Sequence, residues 1–201
     1  MEKKVKLLSL ILFCCLMVAT ENATAQRFAI QGGLENSSIV SKEKPNNILN
    51  KTGFDIGFFI ETPLNYRQTL NINFAVDVVL KGWKEKYDDQ LYILYNQLYE
   101  EFSLSLSYRF HIVNDVFSIL PYAGMYGGVL MNFSDSNNSQ YEDFYEYMNM
   151  FDYGIRVGGA IEIVRNVQFG AEKNIGLPSI YKGDNLKVTN NGTRLYIRLF
   201  F

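Results

Sequence analysis

Glu162 and Glu172, separated by the short turn at 164–166, are the carboxylates whose spacing best suits paired acid and base work. Arg156, Arg194 and Arg198 lie at matching positions, and a carboxylate held by a guanidinium is a fixed anion rather than a proton shuttle. His111 is the only histidine. A serine hydrolase would need it aligned with a nucleophile and an acid, and nothing around it in the sequence supplies that alignment. Cys14 and Cys15, the only cysteines, both fall in an apolar N-terminal run. A chain trimmed of that run has no thiolate, disulfide or cysteine metal site, and one histidine is too few for a zinc centre. The stretch "SDSNNSQYEDFYEYMN" at 134–149 offers oxygen ligands, but not at the spacing of a twelve-residue calcium loop. "GMYGG" and "GIRVGG" look like phosphate cradles, which sit between a strand and a helix; these glycines fall within strand patterns and suit close packing. The expectation is no enzyme, no cofactor and no metal.

The charged residues make better sense through the elements that carry them. In "EEFSLSLSYRF", Phe102, Leu104, Leu106, Tyr108 and Phe110 face one way and Glu101, Ser103, Ser105, Ser107 and Arg109 the other. "TLNINFAVDVVLKGW" and "FDYGIRVGGAIEIV" repeat the period of two, each with one apolar face and one small or charged face. This predicts strands near 27–36, 52–62, 69–82, 98–110, 119–133, 150–163, 167–176 and 192–201. The connectors alternate: long at 37–51, 83–97, 134–149 and 177–191, short at 63–68, 111–118 and 164–166. Even strand number and alternating connectors describe an all-β fold, an eight-stranded antiparallel up-and-down barrel with long loops at one rim.

Residues 1–25 read as a cleavable signal peptide. Lys3, Lys4 and Lys6 precede the apolar stretch Leu7 to Ala19, and Ala23-Thr24-Ala25 forms a small-residue cleavage site. The barrel domain is then 26–201. Removing the leader takes three lysines and two glutamates from totals of 19 basic and 21 acidic residues. The remainder is mildly acidic, which argues against a nucleic-acid partner. No later stretch approaches the roughly 20 apolar residues of a membrane helix.

An eight-stranded barrel has room inside only for side chains. The small and charged face therefore fits the interior, and the face crowded with Phe, Leu, Ile and Val fits the wider exterior. That is the reverse of a soluble carrier barrel and the arrangement of a transmembrane one, surrounded by outer-membrane lipid. Glu35, Asp55, Glu61, Asp77, Glu101, Asp152, Glu162 and Glu172 are expected inside with Lys81, Arg109, Arg156, Arg194 and Arg198, as a mutually paired network that plugs the lumen. Trp83 and the tyrosines at 66, 87, 92, 95, 99, 108, 122 and 196 cluster near strand ends, where amphipathic rings would meet the membrane boundary.

The start "QRFAIQGGLENS", the strand "ILPYAGMYGGVLMNF", the hairpin "DYGIRVGGAIEIVRNVQFGAEKNIGL" and the terminal "YIRLFF" together resemble the PorT-like, or outer membrane protein β-barrel, family of Bacteroidetes-type bacteria. The resemblance implies a Gram-negative outer-membrane location. It also implies that the last strand, with Leu195, Ile197, Leu199 and Phe201 facing lipid, is the insertion signal read by the barrel-assembly machinery. The role expected is structural or adhesive, through the loops at 83–97 and 134–149 and an extracellular protein partner. An accessory role in protein secretion is the alternative that the resemblance implies; a small-solute channel is a third, disfavoured by a packed lumen.

Overall fold

The computed structural model describes residues 26–41, 47–86, 92–114, 116–135, 148–180 and 188–201. Residues 1–25, expected to be a signal peptide, lie outside them. Nine strands follow in order: β1 (Arg27–Ser41), β2 (Ile48–Pro63), β3 (Leu70–Lys86), β4 (Tyr92–Tyr108), β5 (Phe110–Val113), β6 (Phe117–Asp135), β7 (Phe151–Ile163), β8 (Val167–Gly176) and β9 (Val188–Phe200). Each pairs antiparallel with the next in sequence except β4 and β5, which both pair with β6, and β1 pairs with β9. The ring is thereby closed. β4 and β5 make a single stave interrupted at Arg109, whose backbone N–H turns to the carbonyl of Thr69 at 2.6 Å. The result is the expected eight-staved up-and-down barrel, without an open edge.

Two-residue periodicity places the side chains. Ile30, Leu34, Phe54, Ile56, Phe58, Val78, Leu104, Leu106, Met125, Ile155, Phe169 and Leu195 are exposed on the outside, while the charged alternates are buried inside. The final two residues divide between the faces. Phe201 is outside, and the Phe200 ring meets Phe59 edge-on at 6.0 Å with the Arg27 guanidinium 4.0 Å above it.

The strands run further at the long-loop rim than the sequence predicts. Residues 37–41, 48–51, 83–86, 92–97, 134–135 and 188–191, expected as loop, are strand. The reason is a reversal of polarity along each stave. Above Leu34, Phe54 and Leu80 the outer face turns mainly polar, with Asn36, Thr52, Lys84 and Asn96, and the inner face turns apolar. Ile39, Trp83, Ile93, Tyr95, Tyr99, Leu130 and Val188 form an inward cluster, closed over by Met148 and Ile180. Ending a strand where its outward apolar residues stop misses a segment held by burial on the opposite face. The loop expected at 83–97 shrinks to 87–91, and most of 134–149 becomes 136–147; both remainders lie outside the described residues.

The cluster also corrects the aromatic assignment. Trp83, Tyr95, Tyr99, Tyr122 and Tyr196 are buried inside, while Tyr66, Tyr92 and Tyr108 are exposed; Tyr87 lies outside the described residues. Tyr196 stands between Arg194 and Arg198 at a spacing of two, so it shares their inward face. Trp83 stacks on Tyr95 with centroids 4.8 Å apart. Its fluorescence is accordingly expected to be blue-shifted and to resist quenching both by acrylamide and by brominated lipid chains. A lipid-exposed Trp83 would be quenched strongly by the brominated chains.

At the opposite rim the β7–β8 turn carries positive φ at Val164 and Arg165, the left-handed pair of a type I′ hairpin that usually needs Asn-Gly. Here the turn is clamped from outside it: Val164 N–H reaches the Val116 carbonyl at 2.8 Å, and an Arg27 guanidinium nitrogen donates to the Arg165 carbonyl.

Candidate functional site

Among the described residues, charged and polar side chains are concentrated in the lumen. Its charges fall into tiers. In the lowest, beside the short turns, Arg27 bridges Glu61 at 2.9 Å and Glu162 at 2.8 Å. Arg109 repeats both contacts, at 2.6 and 3.1 Å, and its Nη1 donates to the Gln68 carbonyl at 2.9 Å. The break between β4 and β5 places Arg109 across this mouth.

Arg194 is the centre of the middle tier. It contacts Asp55, Asp77 at 3.3 Å and Glu172 at 3.4 Å. Glu172 also takes Arg156 at 3.1 Å and the Tyr122 hydroxyl at 2.5 Å. Arg156 continues to Glu101 at 3.1 Å, and Glu101 passes to Lys81, which reaches Asp152 at 3.5 Å. Asn190 donates to Asp152 at 3.2 Å. These charged side chains are nearly inaccessible to water, so each depends on its partners for the hydration it has lost.

All thirteen charged residues expected inside are buried in the lumen. Eleven of them make ion pairs there. Two differ from the expectation of mutual pairing. Arg198 donates to Gln31 at 2.8 Å and Gln168 at 3.3 Å and lies over the rings of Phe59 and Tyr196, 3.7 and 4.1 Å from their centroids. Among the described residues Glu35 accepts only a long hydrogen bond from Asn174, 3.5 Å, through Oε1. Arg27, Gln31, Gln168, Asn174 and Asn190 complete the network and were not anticipated. Period two would have found Arg27 and Gln31, which share a face with Glu35, and Gln168 and Asn174, which share one with Glu172.

Leu195, Ile197, Leu199 and Phe201 all point outward and are exposed, Phe201 at 80 %.

Glycines explain how so much bulk fits. Tyr126 is the cross-strand partner of Gly154, Tyr122 of Gly158 and Tyr196 of Gly170, and each ring lies against its glycine. A Cβ on Gly154 or Gly158 would stand 2.8 Å from the ring it faces. Tyr122 cannot withdraw, because its hydroxyl is tied to Glu172. Gly158→Ala is therefore expected to destabilise the barrel by about 1–3 kcal/mol, as overpacking does, read as a lower urea midpoint for the folded form.

What the arrangement can do chemically is limited. The inner carboxylates are held by guanidinium, ammonium, amide or hydroxyl groups, and the one serine–histidine contact, Ser118 Oγ to His111 Nδ1 at 3.2 Å, has no acid hydrogen-bonded to the histidine among the described residues. The outward face, by contrast, is a continuous apolar belt.

The sequence matches no family model and no curated protein. Solved structures similar to the chain include Ail, the attachment invasion locus protein of Yersinia pestis, in complex with the heparin analogue sucrose octasulfate, at 16 % identity over 89 % of this chain and 100 % of that one, with a TM-score of 0.45. Neisserial surface protein A is similar at 17 % identity over 87 % and 97 %, TM-score 0.43. The N-terminal β-barrel domain of Pseudomonas aeruginosa OprF is similar at 9 % identity over 85 % and 97 %, TM-score 0.39.

Proposed function

We propose that the chain is an integral outer-membrane barrel, exported by residues 1–25, whose lumen is closed and whose role is structural or adhesive through its long-loop rim. The observation that carries this reading is the inversion of faces: charge inside, a belt of exposed Phe, Leu, Ile and Val outside. In water such a belt would drive aggregation; in lipid it is the required surface. The outward row Leu195, Ile197, Leu199 and Phe201 supports recognition of the last strand by the assembly machinery. The filled lumen weighs against a solute channel.

The test is gel mobility of protein from purified outer membranes, boiled against unboiled in mild detergent. A faster unboiled band in the outer-membrane fraction is expected. One unshifted band, with protein free in the periplasm, would refute the membrane reading. Deleting 136–147 is expected to abolish binding to an extracellular partner while the band shift persists; binding that survives the deletion removes the adhesive part. The finer assignment to PorT-like barrels rests on the sequence resemblance, and unchanged export of surface proteins after gene deletion would set a secretion role aside.

A further inference from the structure

We propose that the lower lumen contains an internal hydration site, a small fixed water cluster bound by Asn71, Asn73 and Ser107 on the β3–β4 wall. Asn71 and Ser107 are direct cross-strand partners on the inner face, and Asn73 and Ser105 are the next inward pair. Asn71 is 0 % exposed, Asn73 and Ser107 4 %. Yet both amide atoms of Asn71, Oδ1 of Asn73 and Oγ of Ser107 have no hydrogen-bond partner among the described residues. Asn73 uses only its Nδ2, toward Ser105 Oγ at 3.3 Å.

Buried amides and hydroxyls in folded proteins are satisfied, and the neighbouring groups are already engaged. Glu61, opposite Asn73 on β2, is held by Arg27 and Arg109. Tyr122, opposite Ser107 on β6, gives its hydroxyl to Glu172. The free atoms are neutral and include both donors and acceptors, which selects a molecule that can do both; no unbalanced charge beside them selects an ion. Asn and Ser are also short. Where β1, β8 and β9 send Gln, Glu, Arg and Tyr across the lumen, this wall stops early, which leaves water the two to four polar partners it needs. Asn71 has no exposure to bulk solvent, so exchange of such water is slow.

The experiment is solution NMR of the full barrel folded in detergent micelles, reading cross-relaxation between water and the side-chain amide protons of Asn71. Cross-peaks with the sign of long-lived bound water are expected at both protons. In Ser107→Ala, which removes the hydroxyl without adding bulk, they are expected to weaken at least threefold while the heat-dependent gel shift is retained. Asn71 protons that show contacts to Ser107 or to detergent but none to water would overturn the proposal, as would water peaks in the wild type that Ser107→Ala leaves unchanged. The wild-type spectrum decides the first point even if the variant does not fold.

Discussion

Arg194→Met is expected to destabilise the folded barrel by about 3–5 kcal/mol, the range found when one partner of a buried ionic group is removed. Arg194 is 1 % exposed and serves three carboxylates, Asp55, Asp77 and Glu172, from three different strands. Methionine fills much of the same volume, so the loss reflects charge rather than a cavity. Arg156 continues to hold Glu172, but Asp55 makes no other ion pair among the described residues. Arg194→Lys should recover only part of the loss, because a single ammonium cannot replace a planar fork that reaches several oxygens. Urea titration read by the boiled and unboiled bands measures both. Adding Asp55→Asn to Arg194→Met should restore part of the stability, a coupling that independent sites would not show. An unchanged midpoint in Arg194→Met would mean that solvent inside the lumen screens these carboxylates.

The second large effect concerns the outer face. Phe58 is 59 % exposed and stands in register between Ile30 on β1 and Val76 on β3, in the middle of the apolar belt. Phe58→Arg is expected to cost about 2–4 kcal/mol in a lipid bilayer, the penalty for a cation near the midplane. Thr52→Arg, on the same face of the same strand where the exterior has turned polar, should cost about 0–1 kcal/mol. Equilibrium folding into vesicles compares them. Equal costs at the two positions would show that the belt does not lie in hydrocarbon.

The two substitutions also separate what could be read from the chain from what could not. Alternation alone divides Phe58 from Phe59, and Arg194 and Arg198 from Leu195 and Leu199, because a strand sends successive side chains to opposite faces whatever it packs against. Even strand number and the rhythm of connectors then lead to the closed barrel, and the narrowness of eight staves decides which face is inside. Arg109 was legible as an inward residue. Its place across the mouth was not, since that depends on a strand break and a hydrogen bond to Thr69 on another connector.

The upper third of the barrel was hidden for a different reason. Near the long-loop rim the preferred face reverses, so Ile39, Trp83, Ile93 and Tyr95 read as loop or boundary residues until the strands are paired and the cluster under Met148 and Ile180 becomes visible. The tyrosine–glycine contacts are likewise facts of register: Gly158 shows a need for space, but only pairing identifies Tyr122 as its occupant. By itself the sequence determined the number of staves and the face of each residue along their lower two thirds, both of which follow from a local period. The tertiary structure alone decided who meets whom across the lumen, because Arg194 joins Asp55, 139 residues away, through a shear of strands that no local pattern encodes.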